Sequence, residues 1–147
     1  MATMQRRSLL SAAAAVTLAG LLPAHSAAQT AQTVPNRAIF QVTDNDPARW
    51  NMILNNMTNL KEGVGGEPVE IELVAYGPGI LMLKADSPVK HRIADALKGG
   101  VQVNACQNTM NAMKLAPADM QPEIGYVPSG VVEVMKKQQH GWAYIRS

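Results

Sequence analysis

Cysteine is almost missing from this chain, because Cys106 is the only one among 147 residues. A single cysteine cannot close an internal disulfide, so the fold does not depend on one. A free cysteine is usually a small buried apolar side chain, and less often a reactive thiol. The residue count leaves both roles open for Cys106.

The sequence also lacks the patterns that other kinds of site require. No paired carboxylates, Ser-His-Asp pattern or phosphate-binding loop is present, which argues against hydrolases and nucleotide-binding proteins. The glycines of residues 63–66 follow a predicted helix, whereas phosphate binds where a helix begins. No His and Cys residues have the spacing of metal ligands, and no basic run interleaved with aromatic residues suggests nucleic acid. We therefore expect no metal, no cofactor and no nucleic-acid partner.

Residues 1–28 have the pattern of a secretory signal peptide. Arg6 and Arg7 precede a short apolar stretch, residues 9–22, and small residues follow it. The stretch is shorter than the about 20 apolar residues that span a membrane, so we expect no stable membrane insertion. The paired arginines favour the twin-arginine type of signal and a periplasmic location.

Cleavage after Ser26 or Ala28 changes the charge of the chain. Of 13 basic residues, Arg6 and Arg7 belong to the signal, which leaves 11 to balance the 11 acidic residues. The mature chain is therefore close to neutral, a further reason not to expect nucleic acid as a partner. Polar residues 29–36 are predicted to be a flexible lead-in to one domain.

Strand-like and helix-like segments alternate through the mature chain. Five short apolar segments have the length of strands, namely 38–42, 69–76, 101–106, 124–127 and 142–145. Four helical patterns begin at Asp46-Pro47, Ser87-Pro88, Gln107 and Ser129. The alternation predicts an α/β fold with three layers, α/β/α, and a mainly parallel five-stranded sheet.

The carboxyl ends of the predicted strands indicate where a site would lie, since ligands gather there in parallel α/β folds. Cys106 ends the third strand and opens a helix, whose free N–H groups and dipole favour a thiolate. We therefore name Cys106 as the candidate catalytic residue. The candidates for its pocket lie after the second strand or in the first turn of that helix: Tyr76, Gly77, Gly79, Asn108 and Thr109. The ordinary structural interpretation is favoured for these five residues: a turn demanded by backbone geometry for Tyr76, Gly77 and Gly79, and helix capping for Asn108 and Thr109.

From about Arg37 to Ile145, the chain resembles the DsrE/DsrF-like family. The resemblance lies in the order of strands and helices and in three stretches: Tyr76-Gly77-Pro78-Gly79, the segment 104–110 around the cysteine, and the ending from 130 to 145. It assigns residues 37–147 to one domain of this family.

The resemblance implies a function for the cysteine. Members include cytosolic sulfur-relay subunits, in which a cysteine after the third strand accepts sulfur as a persulfide and passes it on. It therefore implies that Cys106 is the reactive cysteine of an exported sulfur-relay or persulfide-carrier protein. It also implies a homo-oligomer, a trimer or a hexamer, with sulfur donor and acceptor proteins as partners. Any enzymatic activity would be that of a sulfurtransferase.

Two other functions stay open at the level of sequence. The first is a non-catalytic oligomeric binding module, in which Cys106 is inherited without a chemical role. The second is copper binding, because Met110 and Met113 lie three residues apart and soft sulfur ligands suit monovalent copper. The remaining methionines are dispersed along the chain, which favours core packing over a metal site.

Overall fold

The computed structural model describes residues 35–146, so the predicted signal peptide and nearly all of the predicted lead-in lie outside the described residues. The strands are β1 (Asn36–Val42), β2 (Val69–Ala75), β3 (Gln102–Cys106), β4 (Gly125–Val127) and β5 (Ala143–Arg146). The helices are α1 (Pro47–Gly63), α2 (Lys90–Lys98), α3 (Gln107–Met113) and α4 (Gly130–Gln139), with 3-10 helices at Gly77–Leu83 and Pro117–Asp119.

The five strands form one sheet in the order β4-β3-β2-β1-β5, and every neighbouring pair is parallel. The predicted α/β fold with a parallel five-stranded sheet is confirmed. The chain passes from β1 to β4 in one direction and then returns past β1 to add β5. The order of the strands therefore reverses beside β1, where parallel α/β folds usually bind ligands.

One face of the sheet holds most of the core. Alternate strand residues, among them Phe40, Leu73 and Val103, point to this face and are at most 2% exposed. Helices α1, α2 and α3 cover it with Trp50, Ile53, Ile93 and Met110. Each of the larger buried side chains contributes about 1.5–3 kcal/mol by leaving water.

The opposite face is covered by α4 and has a smaller apolar cluster: Ile39, Val74, Val127, Val134 and Trp142. Glu72 is fully buried under this helix. Its Oε1 accepts a hydrogen bond from Asn104 at 2.9 Å, and Lys137 Nζ lies 2.6 Å from Oε2 in an ionic contact without hydrogen-bond geometry. The Lys137 ammonium also lies 4.1 Å from the centroid of the Trp142 ring. A buried ion pair thus joins α4 to the sheet.

The boundaries of several elements differ from the sequence prediction. Helix α2 begins at Lys90 rather than at Ser87-Pro88, because Ser87 forms a turn in which its Oγ accepts the N–H of Val89 at 3.4 Å. The predicted start of α1 is correct, since Asp46 accepts the N–H of Ala48 at 2.9 Å. Strand β5 starts and ends one residue later than predicted. Among the described helices, none is both long enough and apolar enough to cross a membrane.

Candidate functional site

Cys106 occupies the junction that the sequence predicts. It is the last residue of β3 and the residue that immediately precedes α3. Val103 and Ala105 point into the large core, so the alternation of the strand directs Cys106 to the α4 side of the sheet. The residue is 4% exposed. The side chain is therefore largely shielded from solvent.

The surroundings of Cys106 favour the thiolate. Burial raises the pKa of the thiol, but hydrogen bonds from the Thr109 side chain and from the backbone of Gly130, Thr109 and Asn108 outweigh it, and the pKa is lowered. Among these hydrogen bonds, the one from the Asn108 backbone lowers the pKa least. The same N–H also donates to the Pro128 carbonyl at 3.2 Å. These donors come from both α3 and α4, so the starts of two helices meet at one sulfur atom.

The Thr109 hydroxyl joins the cysteine to the turn after β2. Its Oγ1 accepts the N–H of Gly77 at 3.0 Å, which leaves the hydroxyl proton to be donated to the Cys106 sulfur. Gly77 adopts a positive φ of 54°, a conformation that glycine tolerates best. Helix α3 has no side-chain cap. The capping interpretation of Thr109 is therefore wrong, because its side chain bonds elsewhere.

Gly130 brings the start of α4 against Tyr76. A Cβ atom at Gly130 would lie 2.4 Å from Cδ1 of the Tyr76 ring, closer than any real contact. Only glycine lets α4 start this close to β2. The predicted N-cap, Ser129, is at the right position but makes no side-chain capping bond.

Tyr76 belongs to a chain of hydrogen bonds on the same face as Cys106. Gln41 Nε2 donates to the Tyr76 hydroxyl oxygen at 2.6 Å, and the Tyr144 hydroxyl donates to Gln41 Oε1. Burial is the main cause that raises the pKa of Tyr76; Tyr144 and Cys106 also raise it, whereas Arg146 lowers it. Tyr76 therefore stays protonated at pH values at which the Cys106 thiol ionises.

A shallow groove of about 480 Å³ lies between the 3-10 helix and α3. Its lining is mostly apolar and consists of Gly77, Pro78, Leu81, Asn108, Thr109, Ala112 and Met113. Three of these, Gly77, Asn108 and Thr109, are predicted pocket residues. Gly79 does not line this groove. A Cβ at Gly79 would lie 2.4 Å from the Val42 carbonyl oxygen, so this glycine allows the turn to pack against the end of β1.

The structure adds residues that the sequence analysis missed, namely Gln41, Gly130, Tyr144 and Arg146. Gln41 was the one polar residue in an apolar strand, which was a usable signal.

Within residues 35–146, no group of three or more His, Cys, Asp or Glu side chains is placed to hold a metal ion. Of the pair considered for copper, Met110 is buried and Met113 is 41% exposed, and the two side chains line different clefts. A second cleft, of about 420 Å³, lies between α1 and α2 and shares no residue with the cysteine site.

Fold and site define a class: a parallel α/β protein with one cysteine held between β3 and α3. The sequence model of the DsrE/DsrF-like family matches residues 36–146, and the chain belongs to this family. The resemblance inferred from the sequence is thereby confirmed. No curated protein matches the sequence significantly.

Solved structures agree with this assignment. MTH1491 from Methanobacterium thermoautotrophicum, described as a protein of unknown function, is 32% identical, with a TM-score of 0.73 over 76% of this chain and 99% of that one. BT1422 from Bacteroides thetaiotaomicron is 15% identical, with a TM-score of 0.62 over 76% of this chain and 95% of that one. The ychN protein from E. coli is 10% identical, with a TM-score of 0.58 over 77% of this chain and 99% of that one. The last two show a shared fold.

Proposed function

We propose that this protein is an exported sulfur carrier that holds sulfur as a persulfide on Cys106. Its family is linked to sulfur relay. The observation that carries the proposal is the convergence of hydrogen-bond donors from Thr109 and Gly130 on the Cys106 sulfur, which lowers the pKa of the thiol. A thiolate is the form of cysteine that attacks sulfur.

The chemistry needs no cofactor. The Cys106 thiolate attacks the outer sulfur of a sulfane donor such as thiosulfate, forming a new S–S bond. The donor's own S–S bond breaks, and sulfite leaves with the electron pair. An acceptor thiolate then attacks the outer sulfur of the persulfide, and Cys106 leaves as a thiolate. The hydrogen bonds that stabilise the resting thiolate also stabilise it as a leaving group.

Sulfur uptake is tested by intact mass spectrometry. Protein incubated with thiosulfate or polysulfide is expected to gain the mass of one sulfur atom, and reductant is expected to remove it. Cys106→Ser should not gain the mass, while keeping its fold and assembly because serine is nearly the same size and suits the start of a helix. Equal behaviour of wild type and Cys106→Ser would contradict the proposal.

The second candidate function is a non-catalytic binding module. Its support is the 4% exposure of Cys106 together with the apolar groove beside α3. In that case the groove binds an apolar partner and the thiol only packs. Wild-type protein that takes up no sulfur from either donor would favour this function over the carrier.

Export and assembly complete the proposal. The Arg6-Arg7 pattern supports cleavage and a periplasmic location, which N-terminal sequencing of a periplasmic extract tests; full-length chain in the membrane fraction would contradict it. Exposed apolar side chains on α4, Val131, Val132 and Met135, support a homo-oligomer, a trimer or hexamer. Light scattering at micromolar concentration is expected to give that mass, and a monomer mass would contradict it.

A further inference from the structure

Gly130 makes two contacts at the start of α4. Its backbone N–H donates a hydrogen bond to the Cys106 sulfur. Its Cα lies in van der Waals contact with Tyr76, because a Cβ atom built on it would come 2.9 Å from Cγ and 3.0 Å from Cβ of that side chain. The Cα and the amide nitrogen of one residue are covalently bonded, about 1.46 Å apart. A shift of Gly130 against the ring therefore also moves its N–H relative to the sulfur.

The Tyr76 ring is itself fixed from its far end. Its hydroxyl oxygen accepts a hydrogen bond from Gln41 Nε2 at 2.6 Å, and the Tyr144 hydroxyl donates to Gln41 Oε1. The hydroxyl is thus held toward β1, on the side of β2 away from Cys106. The ring, and not the hydroxyl, is the part of Tyr76 that contacts the start of α4.

The backbone just before Gly130 is fixed by a different contact. The Asn108 N–H donates to the Pro128 carbonyl at 3.2 Å, which ties this segment to the first turn of α3. Between the two lies Ser129, whose side chain makes no capping bond to α4. The hydrogen bond therefore holds Pro128, and the contact with the Tyr76 ring limits the position of Gly130 itself.

We propose that Tyr76 is a positioning residue whose aromatic ring holds the start of α4, so that the Gly130 N–H points at the Cys106 sulfur. Gln41 and Tyr144 act through the ring, since they hold it from β1 and β5. The inference rests on the proposed function and deepens it, because the bond from Gly130 stabilises the thiolate at rest and as a leaving group.

Hydrogen bonds, rather than nearby charges, govern the ionisation of the thiol. Its pKa is raised by burial and lowered by hydrogen bonds from the starts of α3 and α4. The ionisable groups of β5, Tyr144 and Arg146, act on Tyr76. Because Tyr76 is neutral where the thiol ionises, removal of its hydroxyl takes no charge from the site. A substitution that keeps the ring should therefore leave the thiol nearly unchanged.

The test separates the ring of Tyr76 from its hydroxyl. Tyr76→Phe keeps the ring, and Tyr76→Leu removes it; Tyr76→Met takes the place of Tyr76→Leu if that variant does not fold. Tyr126→Leu is the matched control, because Tyr126 is also a strand tyrosine and lies beside Met110 on the opposite face of the sheet. The thiol pKa is measured from the pH dependence of alkylation. The amide proton resonance of Gly130 is followed by NMR through the same titration.

We expect Tyr76→Leu to raise the thiol pKa by about one unit, a tenfold change in the acid dissociation constant, because the Gly130 N–H is no longer held at the sulfur. Tyr76→Phe should shift it by much less, and Tyr126→Leu should not shift it. In wild type and Tyr76→Phe the Gly130 amide proton should move as the thiol ionises, and in Tyr76→Leu this movement should be lost.

Two results would overturn the role of the ring alone. One is an unchanged thiol pKa in Tyr76→Leu, and the other is a shift in Tyr76→Phe as large as that in Tyr76→Leu, which would assign the effect to the hydroxyl. A wild-type thiol pKa at or above the unperturbed value of about 8.5 would overturn this inference together with the proposed function.

Discussion

The two faces of the sheet differ in what they bury. The face under α1, α2 and α3 holds most of the apolar core, which includes Phe40 and Ile124. The face under α4 has five buried apolar residues and, among them, the Glu72–Lys137 pair. The Gln41–Tyr76–Tyr144 chain and Cys106 lie on this second face. Most of the buried apolar surface therefore lies on one face, and these polar side chains lie on the other, beside a smaller apolar cluster.

The difference has a physical basis. Burying a polar group without a hydrogen-bond partner costs free energy. A face that carries polar side chains therefore needs hydrogen bonds in place of close apolar packing. A single helix over this face leaves its edges open, and there the side chains of Tyr144 and Arg146 remain exposed. We conclude that stability and chemistry are separable here, and the following predictions test that separation.

The largest expected effect is on the apolar face. Phe40 is 1% exposed, and Phe40→Ala should lower the free energy of unfolding by about 3–5 kcal/mol through lost burial and a cavity. Chemical denaturation measures the loss. Because Phe40 points away from Cys106, the thiol pKa of the folded variant should equal that of wild type. A shifted thiol pKa would show that the faces are coupled.

The buried ion pair should give the next largest effect. Lys137→Met leaves the fully buried Glu72 carboxylate without its cation, which should cost about 2–4 kcal/mol of unfolding free energy. Lys136→Met is the matched control, since Lys136 is exposed in the same turn, and its cost should be below about 0.5 kcal/mol. Equal costs for the two lysines would show that the pair does not support α4.

Gly130→Ala tests the close contact between α4 and Tyr76. The added Cβ forces the Tyr76 ring to move, which should cost about 1–3 kcal/mol and disturb the hydrogen bond from Gln41. The thiol pKa should rise, because the Gly130 N–H moves away from the sulfur. Gly63→Ala, where a Cβ meets nothing within 4 Å, should be neutral. Denaturation and alkylation rates measure the two effects.

The smallest effect expected on stability belongs to Thr109→Val, which removes a hydrogen bond from the thiolate and should raise the thiol pKa by about one unit. Since the folded pKa is lowered, ionisation of Cys106 favours the folded state. That stabilisation is complete above the unfolded pKa and is lost as pH falls through the folded pKa. Thr109→Val should weaken this dependence on pH, and Thr58→Val in α1 should not. Denaturation at several pH values decides between them.

Local patterns in the sequence were sufficient to predict the strand order along the chain and the place of Cys106. Asp46-Pro47 and the glycines after α1 are signals that act within a few residues. The partners of Tyr76 could not be predicted in this way. Gln41 and Tyr144 are 103 residues apart and meet because β5 pairs with β1, a long-range event that no local pattern records. Gly130 reads as part of a helix start, and its contact with Tyr76 depends on how α4 crosses the sheet.

The pH dependence of Cys106 alkylation in the native protein tests the central claim most directly, because it measures access to the sulfur and ionisation together. We expect the rate to rise with pH through an inflection below the value of about 8.5 for an unperturbed thiol, and Cys106→Ser to show no labelling. An inflection at or above that value, or labelling only after denaturant is added, would contradict the account and leave Cys106 as a buried structural residue.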